Sequence, residues 1–143
     1  MFNVVELNKC DLYNRAKNEA TLIYNKPSTR AGRTLQDITA TVMYGQAAEQ
    51  YLIEERGFSD DPRAYKDVID PNNQPVEVKV TEGDYYVPYV LKRANEAAHQ
   101  KWREYPEWLY IFIGDKQTLD YSLYGIYQWN GTNFSLHSKD FVV

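Results

Sequence analysis

The chain has 143 residues, with 16 Lys and Arg against 20 Asp and Glu and a formal charge of −4 at neutral pH. That length fits one domain, residues 1–143, with a real core, and the acidic balance argues against a protein that coats nucleic acid through bulk charge. A single cysteine, Cys10, excludes an internal disulfide, no apolar run approaches the ~20 residues that span a bilayer, and Met1–Glu6 shows no basic stretch leading into an apolar one; a cytoplasmic protein with no membrane partner is expected.

Residues 1–26 offer one short helical face, Leu12, Ala16, Ala20 and Ile23. Lys26–Arg33 reads as a basic loop broken by Pro27 and Gly32. Thr34 is placed to cap a helix, with Asp37 in its first turn. The stripe Leu35, Ile38, Val42, Gly45, Glu49, Leu52, Ile53 then recurs at helical spacing, and Gly57 terminates it. Glu49 stands on the inward stripe. A carboxylate there is costly unless a cationic side chain pairs with it or it faces a polar cleft, and the sequence admits both.

Ser59-Asp60-Asp61-Pro62 reads as a loop, followed by a strand near 64–69, a turn, and a strand near 75–81. Glu82-Gly83-Asp84 breaks the chain before an amphipathic helix marked by Val87, Val90, Leu91, Ala94, Ala97, Ala98 and Trp102. Its other face carries Lys92, Arg93, His99 and Lys101, and Pro106 closes it. Trp108–Ile113 is a continuous apolar run, as in a strand buried on both faces. A turn at Gly114-Asp115-Lys116 leads into Tyr121–Phe134, which alternates around the hairpin signal Asn130-Gly131. This order predicts an α/β or α+β fold, a mixed β-sheet flanked by helices with a C-terminal hairpin.

The segment Asp67–Val80 carries the most chemical information. Asp70-Pro71-Asn72-Asn73 suits a type I turn followed by a left-handed residue, the usual three-residue hairpin loop. That loop pairs Asp70 with Gln74, Val68 with Val76, Asp67 with Glu77, and Tyr65 with Lys79. Asp67, Glu77 and Lys79 then share one face, and Val68, Val76, Val78 and Val80 the other. A two- or four-residue loop would shift the register and separate the carboxylates; with a shorter turn Asp70 would substitute for Asp67. Three ionisable groups crowded on a core hairpin are best explained by a divalent cation and a phosphodiester.

A helical Glu, an Asp on one hairpin strand, Glu-x-Lys on the next, a basic amphipathic helix and a buried strand, in that order, resemble the PD-(D/E)XK nuclease superfamily. This is the restriction endonuclease-like fold of type II restriction enzymes, Holliday-junction resolvases and many phage and repair nucleases. The resemblance covers about 34–113; Lys66 stands where a proline usually precedes the Asp, and residues 1–33 and 114–143 have no counterpart in it. It implies a Mg2+-dependent endodeoxyribonuclease that hydrolyses DNA phosphodiester bonds, of a size suited to a phage or mobile-element enzyme or to a restriction or junction-resolving dimer. Asp67 and Glu77, with the backbone carbonyl of Val78, would hold Mg2+ or Mn2+. Lys79 would hold the attacking water and offset charge in the transition state, and Glu49 would bind or orient a second metal or its water shell. Arg30, Arg33, Lys92, Arg93 and Lys101 would contact phosphates. Since one site cuts one strand, double-strand cleavage implies a homodimer.

Two other readings stand beside this one. A noncatalytic nucleic-acid- or protein-binding module of the same fold needs no divalent site, and an acidic, tyrosine-rich phage protein could act on a host partner. The 13 tyrosines suit a binding surface or simply fill strands. Val-Glu-Val-Lys-Val also suits a solvated strand face with ordinary ion pairs. His99 and His137 lack the partners of a hydrolytic triad, and Trp102, Trp108 and Trp129 read as core.

Overall fold

A computed structural model describes residues 2–3, 9–61, 67–101 and 104–141. In chain order they form β1 (Phe2–Asn3), α1 (Lys9–Tyr24), α2 (Pro27–Arg30), α3 (Leu35–Glu55), β2 (Ser59–Asp60), β3 (Val68–Ile69), β4 (Pro75–Thr81), α4 (Val87–Gln100), β5 (Trp108–Gly114), β6 (Asp120–Trp129) and β7 (Phe134–Ser138). Among the described residues the strands make one sheet in the order β1-β6-β5-β4-β3-β2, with β7 also paired to β6. The β4–β5 pair is parallel and the other pairs are antiparallel. The expected mixed sheet flanked by helices is therefore present, and it ends in the expected hairpin.

The expected face of α1 is the observed one: Leu12, Ala16 and Ala20 are fully buried. Two alanines in that stripe let α1 lie close against α3. Helix α3 begins as its cap dictates, with Thr34 Oγ1 accepting from Asp37 N–H at 3.1 Å, and Gly57 just beyond it takes φ +73°. Helix α3 is buried on more than the stripe read from sequence: Thr39, Gln46, Ala47, Ala48 and Gln50 are buried as well, because it lies between α1 and the sheet. Its Ala47, Ala48 and Leu52 join Val68, Val76, Val78, Tyr110 and Phe112 in one core. On the opposite side α4 buries Val87, Ala94 and Ala98 with Leu109 and Ile111. Residues of β5 thus alternate between two cores, which explains its uninterrupted apolar run.

Several expectations are corrected. Lys26–Arg33 is not all loop, since Pro27–Arg30 forms a single helical turn with Pro at its start and Ala31 in the left-handed region. Ser59-Asp60 is not loop but a short strand, pairing Ser59 with Ile69 and Asp60 with Val68. Helix α4 ends at Gln100, before Pro106. The expected strand near 64–69 is described only as Val68–Ile69; residues 62–66, including Tyr65 and its pairing with Lys79, and Trp102 lie outside the described residues.

Candidate active site

The turn has the length the sequence requires. Asp70 N donates to Gln74 O and Asn73 N to Asp70 O, each at 2.9 Å, and Asn73 takes φ +64°. Asp70 Oδ1 accepts from the N–H groups of Asn72 and Gln74 at 2.9 and 2.8 Å. Asp70 is therefore consumed by the turn and is no substitute for Asp67. The resulting register is Val68 opposite Val76 and Ile69 opposite Pro75. One residue further out, Asp67 N donates to Val76 O at 3.2 Å.

That register puts Asp67 beside Glu77, close enough for its charge to act on the Glu77 carboxyl group. Asp67 Oδ2 also accepts from Val78 N–H at 2.8 Å. Within a strand the N–H and C=O of one residue point to the same flank, so the Val78 carbonyl opens toward the side on which Asp67 sits. Lys79 Nζ lies 3.0 Å from Glu77 Oε1, and its side chain is about half exposed while that of Glu77 is buried. Glu49 is buried on α3, where Arg15 of α1 donates Nη2 to Glu49 Oε1 at 2.9 Å; the same Nη2 stands 3.5 Å from Asp60 Oδ1.

All of these residues line one cleft of ≈ 430 Å³, together with Glu19, Val42, Gly45, Gln46, Asp61 and Val80. Its wall carries the carboxyl groups of Glu19, Glu49, Asp60, Asp61, Asp67 and Glu77 against the cations of Arg15 and Lys79. Negative charge therefore dominates, and burial makes it expensive. Burial first, then the charge of Asp67, pushes Glu77 up to about 7 against the opposing pull of Lys79. Burial first, then Asp67, pushes Glu49 up to about 8, with Arg15 working against the rise and Glu77 adding to it. Tyr105 is held neutral chiefly by burial and also by the charges of Glu77 and Asp67.

Among the described residues no group of three or more His, Cys, Asp or Glu side chains is placed so that it could hold a metal ion. The donors that do meet suit a magnesium-type ion, which takes one or two carboxylates, prefers oxygen, and keeps several waters. Two adjacent carboxyl groups, Asp67 and Glu77, beside the Val78 carbonyl offer that chemistry. Glu49 enters the same cleft but through its pair with Arg15.

The structure thus brings together Asp67, Glu77, Val78, Lys79 and Glu49. It does not bring the expected phosphate contacts to them: none of Arg30, Arg33, Lys92, Arg93 and Lys101 lines the cleft. Arg30 covers the ring of Tyr24 at 5.0 Å, and Arg33 Nη2 donates to Thr29 O at 2.7 Å. Lys92 and Arg93 are exposed on α4, with Arg93 over Tyr89 at 5.8 Å, and Lys101 follows the end of that helix. Sequence reasoning missed Arg15, Glu19, Gln46, Asp60 and Asp61. The available signal was positional: Arg15 and Glu19 flank the stripe of α1 one turn apart, and Gln46 precedes Glu49 by three residues on one helical face.

No protein-family model matches the chain, and neither a curated protein nor a solved structure matches it. Among the described residues no helix is long and apolar enough to cross a membrane.

Proposed function

We propose that the chain is a metal-dependent nuclease that hydrolyses DNA phosphodiester bonds with Mg2+ or Mn2+ as cofactor. The observation that carries this reading is the meeting of Asp67, Glu77, Val78, Lys79 and Glu49 in one anionic cleft at the flank of β4. The element order supports it too: a helix bearing the Glu (α3), three antiparallel strands (β2–β4), a helix (α4) and a strand parallel to β4 (β5) follow one another in the order that the motif would require.

In this reading Asp67, Glu77 and the Val78 carbonyl hold the cation. When bound, the cation supplies a more acidic water and charge stabilisation at the phosphate. Lys79 is fixed at its root by β4 and at its tip by Glu77, so its ammonium is presented to the cleft as a positive charge for the phosphate oxygens. Glu77 and Glu49, whose proton affinities lie near neutrality, can hold or release a proton there. Double-strand cleavage would need a two-fold dimer.

Supercoiled plasmid and branched DNA, incubated with wild type and Lys79→Ala in Mg2+ and Mn2+, test the reading. Metal-dependent nicking by wild type that the variant loses is the expected result; intact DNA in both metals would overturn it. A second reading, a noncatalytic nucleic-acid- or protein-binding module, is favoured by one feature: Glu77 and Glu49 each already face a side-chain cation.

A further inference from the structure

The wall of the cleft opposite β4 holds two polar atoms that no described residue satisfies. Gln46 is 92 % buried, the complement of its 8 % exposure. Its Nε2 donates to Glu19 Oε2, which fixes the amide orientation, since the reverse would set two acceptors against each other. Its Oε1 is left buried with no hydrogen-bond partner among the described residues. Arg15 spends Nη2 on Glu49 and Asp60, while its Nη1 is likewise buried and unpartnered. Unmatched buried polar groups are costly, and here both belong to residues that line one cleft.

A free acceptor and a free donor beside a group of carboxylates have complementary requirements. The acceptor suits the waters around a divalent cation, which can only donate. The donor suits a phosphate oxygen, which can only accept. A hydrated divalent cation carrying a phosphodiester satisfies both, whereas a bare anion would be repelled by the carboxylates and a bare cation would leave Arg15 unmet.

We propose that Gln46 and Arg15 are the receiving wall of the site, Gln46 Oε1 holding the water shell of the cation and Arg15 Nη1 holding an oxygen of the phosphodiester. The proposal rests on the nuclease reading and adds to it two residues on the helical side, neither belonging to the Asp/Glu-x-Lys motif. Arg15 then supplies the phosphate contact that the surface cations of α2 and α4 do not reach. Neither residue donates or accepts a proton in this role; both are positioning residues.

The test measures binding rather than turnover. Mn2+ is titrated calorimetrically into the full chain as wild type, Asp67→Asn, Gln46→Ala and the volume-conserving Gln46→Met. Loss of a group that holds a metal's water shell weakens affinity by roughly 10–100-fold, so either Gln46 variant should bind Mn2+ at least about tenfold more weakly, with Asp67→Asn weaker still. Binding of a short labelled DNA duplex in Ca2+ reads the second residue. Arg15→Lys keeps a cation beside Glu49 but removes the second donor, and should weaken DNA about tenfold with Mn2+ affinity unchanged. If Asp67→Asn abolishes Mn2+ binding while the Gln46 variants match wild type, or if Arg15→Lys binds DNA as wild type does, the receiving wall is overturned and the nuclease reading survives. If wild type binds no Mn2+, both fall together.

Discussion

Two cavities open beside the same pair of helices. One, of ≈ 300 Å³, is lined by Leu12 of α1, by Ala40, Thr41, Met43 and Tyr44 of α3, and by Lys116, Leu119 and Tyr121. The other is the cleft lined by Arg15 and Glu19 of α1 and by Gln46 and Glu49 of α3. In the first, the polar atoms are spent on the protein: Tyr44 Oη donates to Gly114 O at 2.8 Å, and Tyr121 Oη to Tyr44 O at 3.0 Å. Burial pushes Tyr44 up to about 12, so it stays neutral at physiological pH. In the second, two buried atoms are unmatched, and two glutamates titrate near neutrality. Size does not separate these cavities, but satisfaction does. The first is a packing defect with its hydrogen bonds closed, and the second stores repulsion that a ligand would relieve.

The sharpest break between them is catalytic. Lys79→Ala and Asp67→Asn should each lower plasmid cleavage in Mn2+ by roughly 100-fold or more, the scale of removing a preorganised charge from a transition state. Asp67→Asn can keep the contact to Val78 N–H through its amide oxygen, so circular dichroism should show the fold unchanged. Tyr44→Phe, in the first cavity, should leave the cleavage rate of folded protein as it was. Equal losses from both cavities would erase the distinction.

Stability should divide in the opposite sense. Leu12 is fully buried in the core beside the first cavity, and Leu12→Ala should cost about 2–5 kcal/mol, read as a lower urea midpoint. Asp67→Asn in EDTA should keep or raise the midpoint, because it removes a charge that destabilises its neighbours. A loss at Asp67 comparable to that at Leu12 would assign the carboxylate a structural role.

The pH dependence follows from the same contrast. Glu49 and Glu77 hold their protons more tightly folded than unfolded. Between the ordinary carboxylate range and these raised values the native state binds the extra protons, so stability falls as pH rises through that window. The contribution is fully present at acidic pH and lost by about pH 9. In EDTA, urea midpoints should decline from about pH 5 to about pH 9, and Glu77→Gln should flatten the decline by roughly 3 kcal/mol. Cation binding displaces those protons, so Mn2+ affinity should rise over the same interval. A slope that Glu77→Gln leaves untouched would mean that the repulsion lies elsewhere.

What was legible in the sequence was local. The turn at Asp70–Asn73 announced its own length, and a turn of known length fixes the register, so the meeting of Asp67 with Glu77 could be read without coordinates. The cap at Thr34, the two-sided burial of β5 and the face of α1 were likewise encoded in residue order. What was not legible was the approach of elements distant in sequence. Arg15 and Glu49 are 34 residues apart, and nothing in either helix states that they pair. The surface cations drew attention because charge is visible in a sequence, whereas the partner a charge will find is not. The strand at Ser59-Asp60 is only two residues long, too short to show alternation, and it exists because β3 offers it an edge.

The smallest expected effect is also the most direct check on the sign of the comparison. Tyr44→Phe removes one hydroxyl from the first cavity and with it the bond to Gly114 O, leaving the ring that packs against Tyr121 and lies under Lys116. A net hydrogen bond is worth about 0.5–1.5 kcal/mol, so a loss of about 1 kcal/mol is expected, insensitive to pH across the range in which Tyr44 stays neutral. In the cleft, by contrast, neutralising Asp67 or Glu77 should cost nothing in EDTA or add stability. Removal of a polar group thus carries opposite signs in two cavities that share the same helices. That follows only if one set of polar groups is matched within the protein and the other awaits a ligand. Chemical denaturation of Tyr44→Phe and Glu77→Gln at neutral pH and at about pH 9 reads both signs in one series; losses of like sign and size in both variants would show that the carboxylates are as settled as the tyrosines.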